Sequence, residues 1–475
     1  MARLPVRGAP SQLEEVLLTR RFRFLAPLVV AALVLVACDD GASPGATGGG
    51  GGDVTFEEGY AFDGSNGVLN TPFGNGGDCM FTDPPGCYLH HQASFITTFF
   101  EDNFPDVAEA GTTYDFFPMP EMEFAAVETA GDLFGMFNDT PQARSLMRYL
   151  VTPEAQQIWV EIGGAISPSA AVSADAYPDD TSRRFAEILS GAEVVRFDAS
   201  DKMPDQMNQA FWSAVLDAVQ NPENLDSILE DLDGVQEEAY EDIGQAESNP
   251  AEAPPASDAG LGGEISIIAT WADAEQDAFM AMIQPWVDAT GVTVNYEATR
   301  DLNAVLTTRI EGGNPPDVAG LPGPGQMAQF ARNGDLFSLE NVVDADQMVN
   351  EFGYNEGWIV DGTVDDQFVG IFIKVAVKGL IFYNPEQFEA EGYTVPEDAA
   401  GLDALVEQIK EDGHAPWGIG LESDAASGWP GTDWIEDFVL RQSGPEVYDA
   451  WWQGTQAWSS PEIREAFVAF LKWTQ

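Results

Sequence analysis

The sequence predicts an α/β protein whose exported part is built from two segments of similar length, and three observations carry that reading. Short apolar runs alternate with helical periodicity from Glu264 to Glu311, the pattern of strands and helices layered on a mostly parallel sheet. A stretch rich in Pro, Ala, Glu and Gly, 245–263, divides residues 53–244 from 264–475 and reads as a linker. Each flanking segment is long enough for a core of its own.

The amino terminus comes first. Arg20, Arg21 and Arg23 precede Phe24–Ala37, which carries no charge, and Cys38 follows. This run is shorter than the roughly 20 residues a bilayer-spanning helix needs but suits the central region of a signal peptide. Leu35-Val36-Ala37-Cys38 resembles a bacterial lipobox. The resemblance implies cleavage of 1–37, an acyl (palmitate) anchor on Cys38, and a place on the outer face of the cytoplasmic membrane. The alternative is an ordinary signal peptide with a chance cysteine. Residues 38–52, mostly glycine after Asp39-Asp40-Gly41, form a flexible tether. Cys79 and Cys87 lie eight apart around Met-Phe-Thr-Asp-Pro-Pro-Gly, which in an exported chain reads as a local disulfide.

The formal charge is -59, from 79 acidic and 20 basic residues. Such a surface repels nucleic acid and anionic lipid, and it suits saline surroundings where screening is strong. It also makes a nearby pair of carboxylates poor evidence for glycosidase chemistry.

In the second segment, Glu264–Ala269 and Val292–Tyr296 are read as strands, Glu275–Ala289 and Leu302–Glu311 as helices. Phe368–Tyr383 is a long apolar stretch interrupted by Lys374, Lys378 and Gly379, and Pro396–Glu411 is helical. The first segment is richer in helix: Pro141–Val160 as one helix or a pair, with Pro153 suiting a first turn, then Asp205–Val219 and Leu225–Ile243. Tyr114–Phe117 reads as a strand.

Several motifs carry a family resemblance. Trp271 after a strand, Gly312-Gly-Asn-Pro-Pro-Asp-Val318, Val377-Lys-Gly-Leu-Ile-Phe-Tyr-Asn-Pro385 and Gly428-Trp-Pro-Gly-Thr-Asp-Trp434 resemble the amino-terminal half of the extracellular solute-binding proteins of carbohydrate ABC importers. Pro84–Phe95, Tyr114–Pro118 and Gly163–Pro168 resemble the carboxy-terminal half. The resemblance implies a two-lobed, periplasmic-binding-protein-like clamp that closes on a sugar and docks on ABC permease subunits as a monomer. The halves stand in reversed order, as in a circular permutant, which is physically cheap where termini lie close together. The competing arrangement is two tandem copies, each cut short.

A sugar wants an aromatic ring on its apolar face and planar donors and acceptors on its hydroxyls. Of the chain's 12 tryptophans, 10 lie in 264–475. Trp271, Trp429 and Trp434 are the candidate stacking residues, the latter two in a segment dense with Gly and Pro that reads as a loop, and Asp433 and Asp317 are candidate hydroxyl acceptors. Each has an ordinary packing or capping alternative. Lys374 and Lys378, inside an apolar run, need partners, either carboxylates or ligand. His91 and Gln92 are candidates from the other segment. Because His90 and His91 are adjacent on an extended strand, they point apart, and no metal site is expected. No cofactor is expected either: phosphate-cradling and hydrolase motifs are missing, so the chain is read as a binding protein and not an enzyme. A secreted carbohydrate-active enzyme and a non-transport envelope receptor stand as the alternatives.

Overall fold

The computed structural model describes residues 56–475 apart from Asp242 and Glu247. The expected signal peptide, the Cys38 anchor and the tether lie outside the described residues. No helix among the described residues is long and apolar enough to cross a membrane.

From the first segment come strands β1 (Cys87–Gln92), β2 (Asp115–Pro118), β3 (Val127–Met136) and β4 (Val195–Phe197). From the second come β5 (Glu264–Ala269), β6 (Thr293–Ala298), β7 (Val318–Leu321), the small hairpin β8 (Thr363–Val364) and β9 (Gln367–Phe368), then β10 (Gly370–Val377), β11 (Leu380–Tyr383) and β12 (Ala415–Trp417). The larger sheet runs β10-β3-β7-β5-β6, with β4 alongside β3. The smaller runs β12-β1-β11-β2. The fold is mixed α/β with two lobes, one around each sheet.

The two segments do not fold as separate lobes. Each sheet takes strands from both: β1 pairs β11 and β12, and β3 lies between β10 and β7. Each segment is long enough for a core of its own, but the cores that form draw residues from both. The parallel pairing expected of the second segment's strands is present, with antiparallel pairings added by the first segment. β6, β5 and β7 are parallel, but β3 runs antiparallel to both β7 and β10, because the first segment threads its long strand through the second segment's sheet in the opposite sense. β3 was hidden in the sequence by Glu128, Asp132, Gly131 and Gly135, which break the apolar pattern of a central strand.

The long apolar stretch 368–383 makes the crossing between lobes. β10 is wholly buried in the larger sheet and β11 lies inside the smaller one. Lys378 and Gly379 make the turn between them. Gly379 has φ +67°, and a Cβ there would lie 2.8 Å from the Asp437 carboxylate oxygens, so both backbone angle and space demand glycine. Alongside, the Ser94 N–H donates to the Val377 carbonyl and the Met119 N–H to the Gly379 carbonyl.

The helices follow the sequence closely. Pro141–Leu150 and Pro153–Ile162 are a pair, each opened by a threonine cap and a first-turn proline. Helices Asp205–Gln220, Leu225–Ala239, Trp429–Ser443 and Pro461–Trp473 share one core around Phe211, Trp434, Trp451, Trp458 and Phe470. A second core lies against the larger sheet, and a third spans both sheets, from Leu133 and Phe372 to Phe116 and Phe382. Cys79 and Cys87 form a disulfide, as expected. The 245–263 linker packs along the surface of the larger lobe, where Asp258 pairs with Arg148 at 2.7 Å and residues 249–251 exchange backbone hydrogen bonds with Ser338.

Candidate functional site

A cleft of about 560 Å³ opens at the carboxyl ends of β5, β6 and β7, lined there by Thr270, Trp271, Arg300, Asp301 and Pro322. Ligands settle at that edge in such sheets. The middle of β3 contributes Asp132, and β10 and its turn contribute Lys374 and Lys378. The opposite wall comes from the other lobe: Phe73, Phe95, Trp212, Trp429, Thr432 and Asp433.

Of the residues singled out in the sequence, the cleft brings together Trp271, Lys374, Lys378, Trp429 and Asp433. Trp429 is half-buried, with Phe73 edge-on at 5.2 Å and Phe95 at 6.1 Å. It begins helix Trp429–Ser443, so the expected loop is a helix; Pro430 occupies the first turn, where a missing N–H costs nothing. Gly428 (φ +108°) seats that start directly against the Trp212 carbonyl. Trp271 borders the cleft but is 2 % exposed, packed on Phe134, Trp159 and Phe279.

Both lysines find carboxylates. Lys374 Nζ lies 2.5 Å from Glu275 and 3.6 Å from Asp132, over the rings of Trp159 and Trp271. Burial works against its charge, but Glu275 and Asp132 hold it above the ordinary lysine value. Lys378 Nζ bridges Asp198 and Asp433, the latter at 2.7 Å. Burial lifts the Asp433 carboxyl to about 7 even though Lys378 opposes the rise.

The remaining candidates are outside the lining. Asp317 locks β5 to β7: its carboxylate accepts the Ser266 N–H at 2.7 Å and hydroxyl at 2.9 Å. Trp434 is 1 % exposed among Trp417, Trp473 and Phe470. His91 packs on the Trp434 ring at 4.1 Å, with its Nε2 3.6 Å from Asp437. The Gln92 carbonyl oxygen accepts the Ala93 N–H. Asp317, Trp434 and Gln92 are held by the protein's own groups, while both His91 ring nitrogens are buried without a hydrogen-bond partner.

The structure adds residues that sequence reasoning missed. Trp212 also lines the cleft, and its buried indole N–H has no partner. Asp201 and Asp205 open the same wall, and burial raises Asp205 to about 6 while Asn303 opposes. The Arg300 guanidinium lies 5.1 Å over the Phe73 ring. Arg300 had a signal, a scarce cation just past a strand; Asp201 and Asp205 had none in so acidic a chain.

The comparisons follow this geometry. Residues 272–475 match the family described as bacterial extracellular solute-binding protein. The osmoprotective compounds-binding protein GgtB of Synechocystis sp. is 33% identical over 212 residues, 45% of this chain and 50% of that protein. The alpha-glucosides-binding periplasmic protein AglE of Rhizobium meliloti is 36% identical over 197 residues, 40% of this chain and 42% of that protein. The chain therefore spans about half the length, or less, of these curated relatives. A solved unliganded open form of the periplasmic murein tripeptide-binding protein MppA aligns at a TM-score of 0.24 and 10% identity, covering 61% of this chain and 47% of that one, a likeness that carries no argument. The match is to solute-binding proteins, in keeping with a chain that is not an enzyme. Beside a two-walled cleft at the strand ends, residues 272–475 are thus similar to the bacterial extracellular solute-binding proteins.

Proposed function

We propose that the chain captures a sugar in the cleft between its lobes and delivers it to an ABC permease from the outer face of the cytoplasmic membrane. The observation that carries this is the chemistry of the lining. Aromatic faces (Trp429, Phe73, Trp212) alternate with carboxylates (Asp201, Asp205, Asp301) and the Arg300 fork, which is what a flat, many-hydroxyl solute requires. One relative is named for osmoprotective compounds and another for alpha-glucosides, which supports a small polar solute of the glycoside kind. Closure follows from linkage: the sugar favours the closed form only by its greater affinity for it. An acyl group on Cys38 and the glycine tether would keep capture close to the membrane. Permease docking, a monomeric state and the permuted order of the halves belong to the same proposal. In support of the permuted order, the Gln475 carbonyl accepts backbone N–H groups from Gly59, Tyr60 and Ala61 at 2.9–3.2 Å.

The test is a thermal-shift and calorimetric screen of the full chain, purified in mild detergent and high salt, against mono-, di- and oligosaccharides. The expected result is a saturable shift with one sugar class, the sugar being recovered chemically unchanged. A cooperative melt that no sugar moves would end the reading.

A further inference from the structure

Behind the cleft, where the lobes cross, carboxylates from three separate elements converge. Glu128 stands on β3, Asp198 directly after β4, and Glu436 on helix Trp429–Ser443. Each offers an oxygen, and these oxygens lie within 4.8 Å of one another. All three residues are buried, at 0, 1 and 0 % exposure.

A second observation is independent of that convergence. Both carboxylate oxygens of Glu128 are buried without any hydrogen-bond partner. Its neighbours are held differently. The Glu436 carboxylate accepts the Ala199 N–H at 2.8 Å and the Ser200 N–H at 3.2 Å, and the Asp198 carboxylate accepts the Ser200 hydroxyl and the Asp201 N–H. Fixed donors thus orient two of the acids, while the third is aimed at them with nothing to receive it. A buried, unpaired carboxylate is costly, so a missing counter-charge is the simplest account. Of the local cations, Lys378 contacts Asp198, one of the three, together with Asp433, and Arg441 pairs with Asp437; neither is paired with Glu128.

We propose that Glu128, Asp198 and Glu436 hold one divalent cation of the calcium type, bridging the two lobes at their crossing. An all-oxygen, carboxylate donor set selects a hard cation. Magnesium dehydrates reluctantly and keeps several waters, which a fully buried set of carboxylates suits poorly, whereas calcium accepts many protein oxygens in flexible geometry. Because Glu436 belongs to the smaller-sheet lobe and Glu128 to the larger sheet, the ion would fasten one lobe to the other independently of any solute in the cleft.

The rival occupant is a proton. Burial and the neighbouring acids push Glu128 and Glu436 well above the usual carboxylate range, so protonation could also neutralise them. Calorimetry on the full chain, stripped with EDTA and exchanged into 1 M NaCl at pH 7, separates the two. At that salt the Debye length of about 3 Å silences scattered surface acids. The expected result is one saturable calcium site per chain, at least tenfold tighter than for magnesium, with a rise in melting temperature on binding. Glu128→Gln, an isosteric change, should weaken calcium binding at least tenfold while the melt stays cooperative. No saturable site in the wild-type chain would overturn the proposal, and that titration decides even if the variant fails to fold. Equal calcium affinity in Glu128→Gln and wild type would also overturn it.

Discussion

Trp271 and Trp429 look alike in the sequence, yet burial assigns them different parts. Trp429 is half-buried and lines the cleft, so Trp429→Ala should weaken binding of the cleft's solute by about 0.5–1.5 kcal/mol, the worth of an aromatic contact, with little change in melting. Trp271 sits in a closed aromatic cluster, so Trp271→Ala should cost stability of about 3–5 kcal/mol, read by denaturant unfolding. An unchanged calorimetric affinity in Trp429→Ala would remove that ring from the site. His90 gives a pH-dependent case. Burial, helped by neighbouring His91 and opposed by the Gly418 carbonyl 2.8 Å from its Nδ1, lowers its pKa to about 4. Folded, the ring stays neutral down to that pH; unfolded, it protonates near 6.5. Its contribution is therefore intact above 6.5 and lost as pH falls from 6.5 towards 4, on the order of 3 kcal/mol. His90→Gln should lose less stability than wild type across that window. Comparing the two chains matters, because Asp433 and Asp205, raised to about 7 and 6, gain stability over the same fall. At this scale the sequence was legible where a residue type was scarce: Lys374, Lys378 and Trp429 stood out, whereas Asp201 was one acid among 79.

Among the elements, helices were the most legible, since apolar periodicity and proline-marked starts bound them locally, as with Pro141–Leu150 and Pro153–Ile162. Strands were less so. β5 showed its apolar run, but β3 carries acids and glycines because it passes the cleft and the buried carboxylates, and function there overrode the strand pattern. Trp429–Ser443 misled in the other direction: its opening Gly428-Trp-Pro-Gly looks like a loop, and only the tertiary seat against Trp212 explains a helix. Two elements invite direct tests. Gly379→Ala should destabilise by at least about 1–2 kcal/mol from the left-handed backbone alone, with further loss from the contact at Asp437; a neutral result in urea unfolding would mean that the crossing yields freely. Replacing Cys79 and Cys87 together by alanine should cost about 2–3 kcal/mol, the chain entropy of a loop of eight residues.

For the molecule as a whole, the interleaving of the two segments decides which rearrangements it should tolerate. Neither sheet is complete without strands from both halves, so 56–244 and 264–475 expressed separately would each expose β edges and apolar faces. The continuity that matters is spatial. Backbone groups of 59–61 already hydrogen-bond to Gln475, and the 245–263 linker lies along the surface and contributes no strand to either sheet. A chain reordered as 264–475 followed by 56–244, joined at Gln475 by a short glycine link and freed of the linker, keeps every strand pairing and every wall of the cleft. Loop-closure entropy changes only slowly with length, so the exchange of connections costs mainly the linker's own surface contacts at Asp258 and residues 249–251. The reordered chain should therefore melt cooperatively within a few degrees of the original in high salt, and bind the same solute with the same affinity. If it fails to fold while the original folds, the linker is a structural member and the permuted-order proposal loses its physical basis. If it folds but binds a thousandfold more weakly, the connection at 245–263 sets the closure equilibrium of the clamp.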